Sequence, residues 1–582
     1  MDRGTGRSTF LLTVALLLVF GGGAIGGLVQ SDFGAVRVQD VRFPVADGRV
    51  MHAKLYRPNG ATAEAPAPGV LAIHGYINTN ETQSPYAIEL ARRGYVVLAV
   101  DQPGHGYSDP PAFAGGFGGP ESLAYLRSLA FVDPEQVVLS GHSMGGWAVL
   151  IAAAVAPGDY TSIVVSGSST GTFGAPEGTP TYPRNLGLVY STYDEFSELM
   201  WGAPTGAEAP ATAKMQALFG TDAPVEPGRL YGDLDAGTAR QLYAPAVTHP
   251  GDHITTAGVA PVIDWVQRTT DAPYPLPASD QVWMWKEAGT AIALVGFVLA
   301  LFAVAGLLLD SRAFTPLANH TAPAAGVAGF GWWLGAAIAA VIPAVTFFWA
   351  QNQTNAWLTP DRWFPQQITN GLVGWALFNG AVSLVLVLLW FAVAGRRNGA
   401  RWDTLGLRVG GFFRAIAFAV AVVGSGYALL ALSNGLFHTD FRFWVVAVKL
   451  LSTQQAQIAL VYLLPFTAFY LVFGMVLHGQ LRPRGSAGEG ADAMIANALI
   501  AVGGFLVLLG VQYLALFSGR PLPFGEPLLT IVAFQLLFLM PVTAMLSTYL
   551  FQRTGSVWPG AWTNGLLVTW YVIASQATHF AG

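Results

Sequence analysis

The sequence predicts two structural classes in one chain: an α/β domain built as a doubly wound sheet, and an all-α bundle of transmembrane helices. Composition is the first reason. Of 582 residues, 53% are hydrophobic and 11% charged, against about 25% charged in ordinary soluble domains, so part of the chain must live in lipid. The second is charge asymmetry: residues 1–285 carry 15 basic and 26 acidic side chains, a net of −11, and residues 286–582 carry 14 basic and 8 acidic, a net of +6. The third is a change of hydrophobic period, from short β-rich runs alternating with helical stretches to long uninterrupted apolar segments. The expected organisation is a signal-anchor helix over 1–30, an α/β domain over 31–285 and a membrane domain of about eight helices over 286–582.

The first apolar stretch, Phe10 to Val29, is uncharged and comes after Arg3 and Arg7. At about 1.5 Å per residue it can cross a bilayer core of about 30 Å. Basic residues ahead of it hold that end in the cytoplasm and send the downstream chain outside, whether the stretch is retained or cleaved. Its length and the absence of a clear A-x-A site favour a retained anchor.

Between about 35 and 275 the runs Val70–His74, Val96–Val100, Gln136–Ser140, Ile163–Ser166, Leu186–Ser191 and Ala239–Ala244 read as buried parallel strands. Helical stretches separate most of them: Pro85–Arg93, Glu121–Ala130, Met144–Ala156 and Ala211–Phe219. Doubly wound sheets bind ligands at the carboxyl ends of their strands, so chemistry is expected just after these runs.

Gln136–Ser140 is followed by Gly141-His142-Ser143-Met144-Gly145-Gly146 and then by a helix. A serine on a tight strand-to-helix turn needs small neighbours, and the helix N-terminus behind it places partial positive charge where an oxyanion would develop. Upstream, Val70–His74 leads into Gly75-Tyr76, and Val96–Val100 into Asp101-Gln102-Pro103-Gly104-His105-Gly106-Tyr107-Ser108. With an H-G-x turn, a D-x-P-G-H-G-x-S turn and a G-H-S-M-G-G elbow in that order, about 240 residues of the chain resemble the α/β-hydrolase superfamily. The resemblance implies Ser143 as nucleophile and backbone N–H groups of Tyr76 and Met144 as oxyanion hole. It also implies the chain order Ser, Asp or Glu, His for the catalytic groups.

Asp194, a few residues beyond Leu186–Ser191, stands at the family position for the acid, with Glu195 its immediate rival and Asp233 and Asp235 weaker ones. For the base, Ala239–Ala244 leads into Thr248-His249-Pro250-Gly251-Asp252-His253. His249 and His253 compete for this one role, with His249 preferred. His74, His105 and His142 precede or interrupt turns and read as structural or as site lining. The interval 168–185 is too short for a large lid; 196–237, with Trp201, Met215, Leu218 and Phe219, could cover an apolar site or simply pack on the sheet.

Zero cysteines exclude thiolate metal sites and cysteine nucleophiles. His438-x-Asp440 stands alone, so no metal and no cofactor are expected. Without a basic run or interleaved aromatic stripe in the α/β half, nucleic acid is not an expected partner. Small-molecule, lipid or peptide substrates and the bilayer itself are.

The second half contains eight apolar stretches, near 288–309, 327–350, 370–394, 411–434, 456–478, 492–517, 527–550 and 560–580. Alternation from an inside N-terminus puts Arg312, Arg396, Arg397, Arg401, Arg408, Arg482, Arg484 and Arg553 in cytoplasmic loops, and Lys286, Arg362, Arg442, Lys449 and Arg520 outside, as the positive-inside rule requires. Asn379, Asn497, Gln512, Gln535 and Asn564 are expected to bind neighbouring helices. A faint similarity of Gly555–Asn564 to the last helix of integral-membrane CAAX-type proteases lacks the paired glutamates that chemistry needs. The sequence therefore predicts a membrane-anchored, extracytoplasmic serine hydrolase of esters, thioesters or amides. The alternative is a transporter or channel with a hydrolase-fold sensor or binding domain.

Overall fold

The computed structural model describes residues 3–318, 328–408, 410–483 and 488–580. Arg484 lies outside the described residues. The chain divides into two compact units, one of Ala24–Gly289, Gln512–Pro527 and Ser575–Gly582, the other of Met1–Gly23, Thr290–Val511 and Leu528–Ala574.

The first unit is built on β1 (Val36–Pro44), β2 (Val50–Pro58), β3 (Ala67–Ile73), β4 (Val96–Asp101), β5 (Val132–His142), β6 (Ser162–Ser166), β7 (Leu186–Val189), β8 (Leu230–Tyr231) and β9 (Arg240–Tyr243). They form one nine-stranded sheet in the order β1-β2-β4-β3-β5-β6-β7-β9-β8. The six strands from β4 to β9 in that order run parallel to one another. These are the six runs the sequence marks, because strands covered on both faces must be apolar at successive positions. Leu71, Ile73, Leu98, Val100 and Leu139 point to one core and Val70, Ala72, Val97, Ala99 and Val138 to the other, the period of two that a pleated strand imposes.

Helices α1 (Ser84–Arg92) and α4 (Thr256–Thr269) supply apolar side chains to the second core, and α2 (Gly119–Arg127) and α3 (Met144–Val155) to the first. The strands β1, β2 and β8, antiparallel to their neighbours, are additions the sequence patterning does not mark. β1 alternates charged and apolar residues at a solvated sheet edge, and β8 has only two residues. The strand order reverses at β3, since β4 lies on one side of it and β5 on the other. Crevices at such switch points are where doubly wound sheets hold ligands.

In the second unit and its boundaries, seven described helices are long and apolar enough to cross a membrane: Thr5–Gln30, Trp283–Asp310, Gln367–Gly395, Phe412–Phe437, Thr453–Gln480, Gly490–Phe517 and Pro527–Thr554. Two of the nine stretches expected from hydropathy depart from this pattern. The one near 327–350 becomes Phe330–Val345 and Phe347–Trp357, bent by 46°. Pro343 precedes the bend and cannot donate to the helical ladder. The one near 560–580 forms the 18-residue helix Trp558–Ser575 and then leaves helical geometry. Polar residues tie neighbouring helices: the Asn379 amide donates to Thr346 Oγ1 (3.0 Å), Asn497 to Thr548 Oγ1 (3.0 Å) and Asn564 to the Thr543 carbonyl (2.9 Å).

Candidate active site

Ser143 sits between β5 and α3 with φ 55° and ψ −121°. An L side chain is strained at this positive φ, a cost of the kind that active sites retain. The strain is fixed from both sides. The Ser143 N–H donates to the Ser166 carbonyl at the end of β6 (2.8 Å), and the Ser143 carbonyl accepts from Gly146 N–H (2.8 Å) as the helix begins. Two glycines make the turn possible: a Cβ on Gly141 would lie 2.2 Å from the Gly145 carbonyl oxygen, and one on Gly145 2.1 Å from that of Ile73. Met144 is the first residue of α3, so its N–H has no intrahelical acceptor. The turn after β3 comes close as well, since a Cβ on Gly75 would meet Ser143 Cβ at 2.9 Å. Tyr76 is the next residue in that turn.

Asp194 and His249 meet because two adjacent parallel strands keep pairing past their ends. Beyond β7 and β9, Thr192 N–H donates to the Pro245 carbonyl (3.0 Å), Tyr193 N–H to that of Val247 (3.1 Å), and Tyr193 bridges Thr248. The next residue on each side is Asp194 and His249. His249 Nδ1 lies 2.8 Å from Asp194 Oδ2, and both side chains are buried. A carboxylate only accepts, so Nδ1 carries the proton and Nε2 keeps its lone pair. Asp194 Oδ1 accepts from Phe196 N–H (2.7 Å), which fixes the carboxylate plane. Burial alone would lower the His249 pKa, but the charge and hydrogen bond of Asp194 outweigh it and raise it.

The residue before the serine also holds His249. His142 is buried and pushed well below the usual imidazole pKa by burial and by the neighbouring His253 and His249, so it is neutral. Its Nε2–H donates to the His249 carbonyl (3.0 Å), leaving Nδ1 bare and without a partner. His253 packs edge-on to His142, with ring centroids 4.5 Å apart, while the Asp194 carboxylate is taken by His249. Glu195, the rival acid, accepts from the His249 backbone N–H instead (2.7 Å). Asp233 and Asp235 are exposed, and Asp233 caps its own turn through Ala236 N–H (2.8 Å).

Three groups at the site carry no sequence signal. Asp252 is buried and raised well above the carboxylate range, first by desolvation and then by the charge of Asp194, and it hydrogen-bonds the Ser191 hydroxyl. Tyr513 donates its hydroxyl to Glu195 Oε1 (2.7 Å), and the Tyr76 hydroxyl lies 2.7 Å from His579 Nε2. Tyr513 and His579 come from late segments whose local sequence is that of membrane helices and their ends.

The family model for the alpha/beta hydrolase fold matches residues 68–194. The chain is similar to a 2-hydroxy-6-oxononadienedioate/2-hydroxy-6-oxononatrienedioate hydrolase of Cupriavidus pinatubonensis, 35% identical over 97 residues, which is 17% of this chain and 32% of that protein. It thus spans about a third of that relative's length. Among solved structures it is similar to the alpha/beta hydrolase GrgF from Penicillium sp. sh18, with 21% identity over 25% of this chain and 48% of that one and a TM-score of 0.20. A dienelactone hydrolase-like promiscuous phosphotriesterase from metagenomic libraries matches with 16% identity over 41% of this chain and 99% of that one, at a TM-score of 0.30. Sheet order, elbow and family match agree: the globular unit is an α/β-hydrolase domain, joined in one chain to a bundle of helices long and apolar enough to span a membrane.

Proposed function

We propose that this protein is a membrane-anchored serine hydrolase whose catalytic domain faces the extracytoplasmic side. The observation that carries the reading is a serine strained at φ 55°, ψ −121° on an elbow whose preceding residue, His142, hydrogen-bonds the His249 carbonyl, with His249 Nδ1 2.8 Å from the buried Asp194 carboxylate. Ser143 Oγ attacks the carbonyl carbon of an ester, thioester or amide while His249 Nε2 takes the hydroxyl proton. The anionic oxygen that develops faces the N–H groups of Met144 and Tyr76 and the positive end of α3. Collapse of the tetrahedral adduct breaks the bond to the leaving group, which receives the proton from His249. Water then repeats the sequence on the acyl-enzyme, releasing the acid and restoring Ser143.

The hydrolase name of the curated relative agrees with this class of reaction, and its substrate is not transferred. The positive-inside pattern supports the sidedness. Acyl groups delivered from the bilayer are the substrates to test first, since the domain is tethered to it.

The test uses full-length protein in detergent or nanodiscs. A fluorophosphonate probe should label the wild type and leave Ser143→Ala unlabelled, and hydrolysis of short p-nitrophenyl esters should fall by roughly 10³-fold or more in the variant. Equal labelling of the two proteins rules the assignment out.

A further inference from the structure

Glu195 is a buried carboxylate that the proposed mechanism leaves without a task, and it sits between the base and a residue more than three hundred positions later. Its Oε2 accepts from the His249 backbone N–H and its Oε1 from the Tyr513 hydroxyl, each at 2.7 Å. Tyr513 belongs to the last turns of the helix Gly490–Phe517, and Gln512–Pro527 folds with the hydrolase unit. One turn on, the Phe517 ring stands edge-on to Tyr193 at 5.2 Å and 88°. Residues four apart share a helix face, so one face grips the acid loop at 193 and at 195. The Gln512 amide in turn holds the chain beyond the helix, donating to the Gly525 carbonyl (2.9 Å) and accepting from Phe524 N–H (3.1 Å).

We propose that Glu195 and Tyr513 form a positioning pair, through which the end of a membrane-length helix sets the main chain and the electrostatic surroundings of His249. The proposal rests on the reading of Ser143, His249 and Asp194 as the catalytic groups. Neither residue of the pair touches the reacting atoms. An ionised Glu195 accepts two hydrogen bonds and adds a second negative charge beside Asp194, which stabilises the imidazolium that forms as Ser143 attacks. A protonated Glu195 keeps its carbonyl on the His249 N–H and turns its O–H toward the Tyr513 oxygen, so the contacts survive and the charge is lost.

Geometry makes that change accessible. Burial, and then the charge of Asp194, push the Glu195 pKa to about 7. The titratable groups around it are Asp194, His249 and Tyr513, with Tyr190, Asp252, His142 and His253 behind them. Glu195→Gln reproduces the protonated state, because an amide accepts from His249 N–H and donates to the Tyr513 oxygen. Tyr513→Phe removes a donor to the charged form and moves its ionisation upward.

The experiment measures kcat and KM for a short p-nitrophenyl ester from pH 5.5 to 9 in full-length wild type, Glu195→Gln, Tyr513→Phe and the double variant. Thermal melts and Ser143-dependent fluorophosphonate labelling are run on each. In the wild type kcat should rise through two ionisations, His249 and Glu195. In Glu195→Gln the second is absent, and kcat above pH 8 is about tenfold lower with KM little changed. Tyr513→Phe should shift that second inflection upward in the wild type and do nothing further in the Glu195→Gln background. Superimposable kcat profiles for wild type and Glu195→Gln overturn the positioning role while leaving the serine hydrolase reading intact. Absence of Ser143-dependent labelling in the wild type removes both.

Discussion

A serine hydroxyl in water is a poor nucleophile, so what matters at Ser143 is how its neighbours are held. Asp194 keeps His249 in the tautomer that leaves Nε2 free. Asp194→Asn can satisfy Nδ1 only by accepting through its carbonyl, and it forfeits the charge that stabilises the imidazolium. We expect kcat to fall by roughly 10³- to 10⁴-fold with little change in the melting temperature; a loss under tenfold would remove Asp194 from the acid's role. A second buried imidazole acts on stability. His52 Nδ1 lies 2.7 Å from Asp101 Oδ2 and its Nε2 3.3 Å from Asp40 Oδ1. Burial would lower its pKa, but these two carboxylates raise it to about 9. The folded state therefore binds a proton that the unfolded chain releases near 6.5. The stabilisation is full below about pH 6.5 and disappears as pH rises through 9, so Tm should decline between these values, and His52→Gln should flatten that decline. Of the site, Ser143, Asp194 and His249 are legible in sequence because each comes just after a strand end. Which of His249 and His253 contacts Asp194 is not, because four residues separate them and the continued β7–β9 pairing is what brings His249 there.

At the scale of elements, the elbow is a packing problem as much as a chemical one. Gly145 passes so close to the β3 end that any Cβ would overlap the Ile73 carbonyl. Because the obstacle is backbone, a side chain there must displace either β3 or α3. Gly145→Ala should cost about 1–3 kcal/mol of stability and, by moving Met144 N–H away from the turn at Gly75 and Tyr76, reduce fluorophosphonate labelling more steeply than the melting temperature alone would imply. Labelling that simply tracks the folded fraction would mean that the oxyanion geometry tolerates the shift. The six parallel strands are legible in sequence because burial on both faces requires continuous apolar runs. The β1–β2 hairpin is not, since its edge strand mixes Arg37, Asp40 and Arg42 with apolar residues. For the helices, hydropathy marks the apolar residues around Pro343 as one stretch but does not show the 46° bend at Thr346 that follows the proline.

For the whole molecule, parity constrains how the chain threads a bilayer. Residues 24–289, 512–527 and 575–580 fold as one unit, so in a chain that spans a bilayer those three segments are predicted to share one side. An even number of crossings must therefore separate residue 289 from residue 512. The helices Trp283–Asp310, Gln367–Gly395, Phe412–Phe437, Thr453–Gln480 and Gly490–Phe517 supply five, and the count becomes even only if the bent pair Phe330–Val345 and Phe347–Trp357 crosses as one span rather than re-entering. The same reasoning predicts that Trp558–Ser575, though not among the seven membrane-length helices, also crosses, because Pro527–Thr554 would leave the hydrolase side and the tail would return to it. Its 18 residues give about 27 Å, close to the hydrocarbon thickness. A chain without cysteines makes the test direct. Asp235→Cys, Arg520→Cys and Phe580→Cys, each introduced singly, should react with an impermeant maleimide from the same face of oriented vesicles. Arg312→Cys, Arg397→Cys and Arg553→Cys should react only from the other. If Phe580→Cys labels with the second group, the last helix does not cross and His579 cannot stand beside Tyr76; if Arg397→Cys labels with the first, the bent pair is re-entrant and Tyr513 cannot reach Glu195. Sidedness of a few single residues therefore tests the two contacts that late segments make with the candidate site.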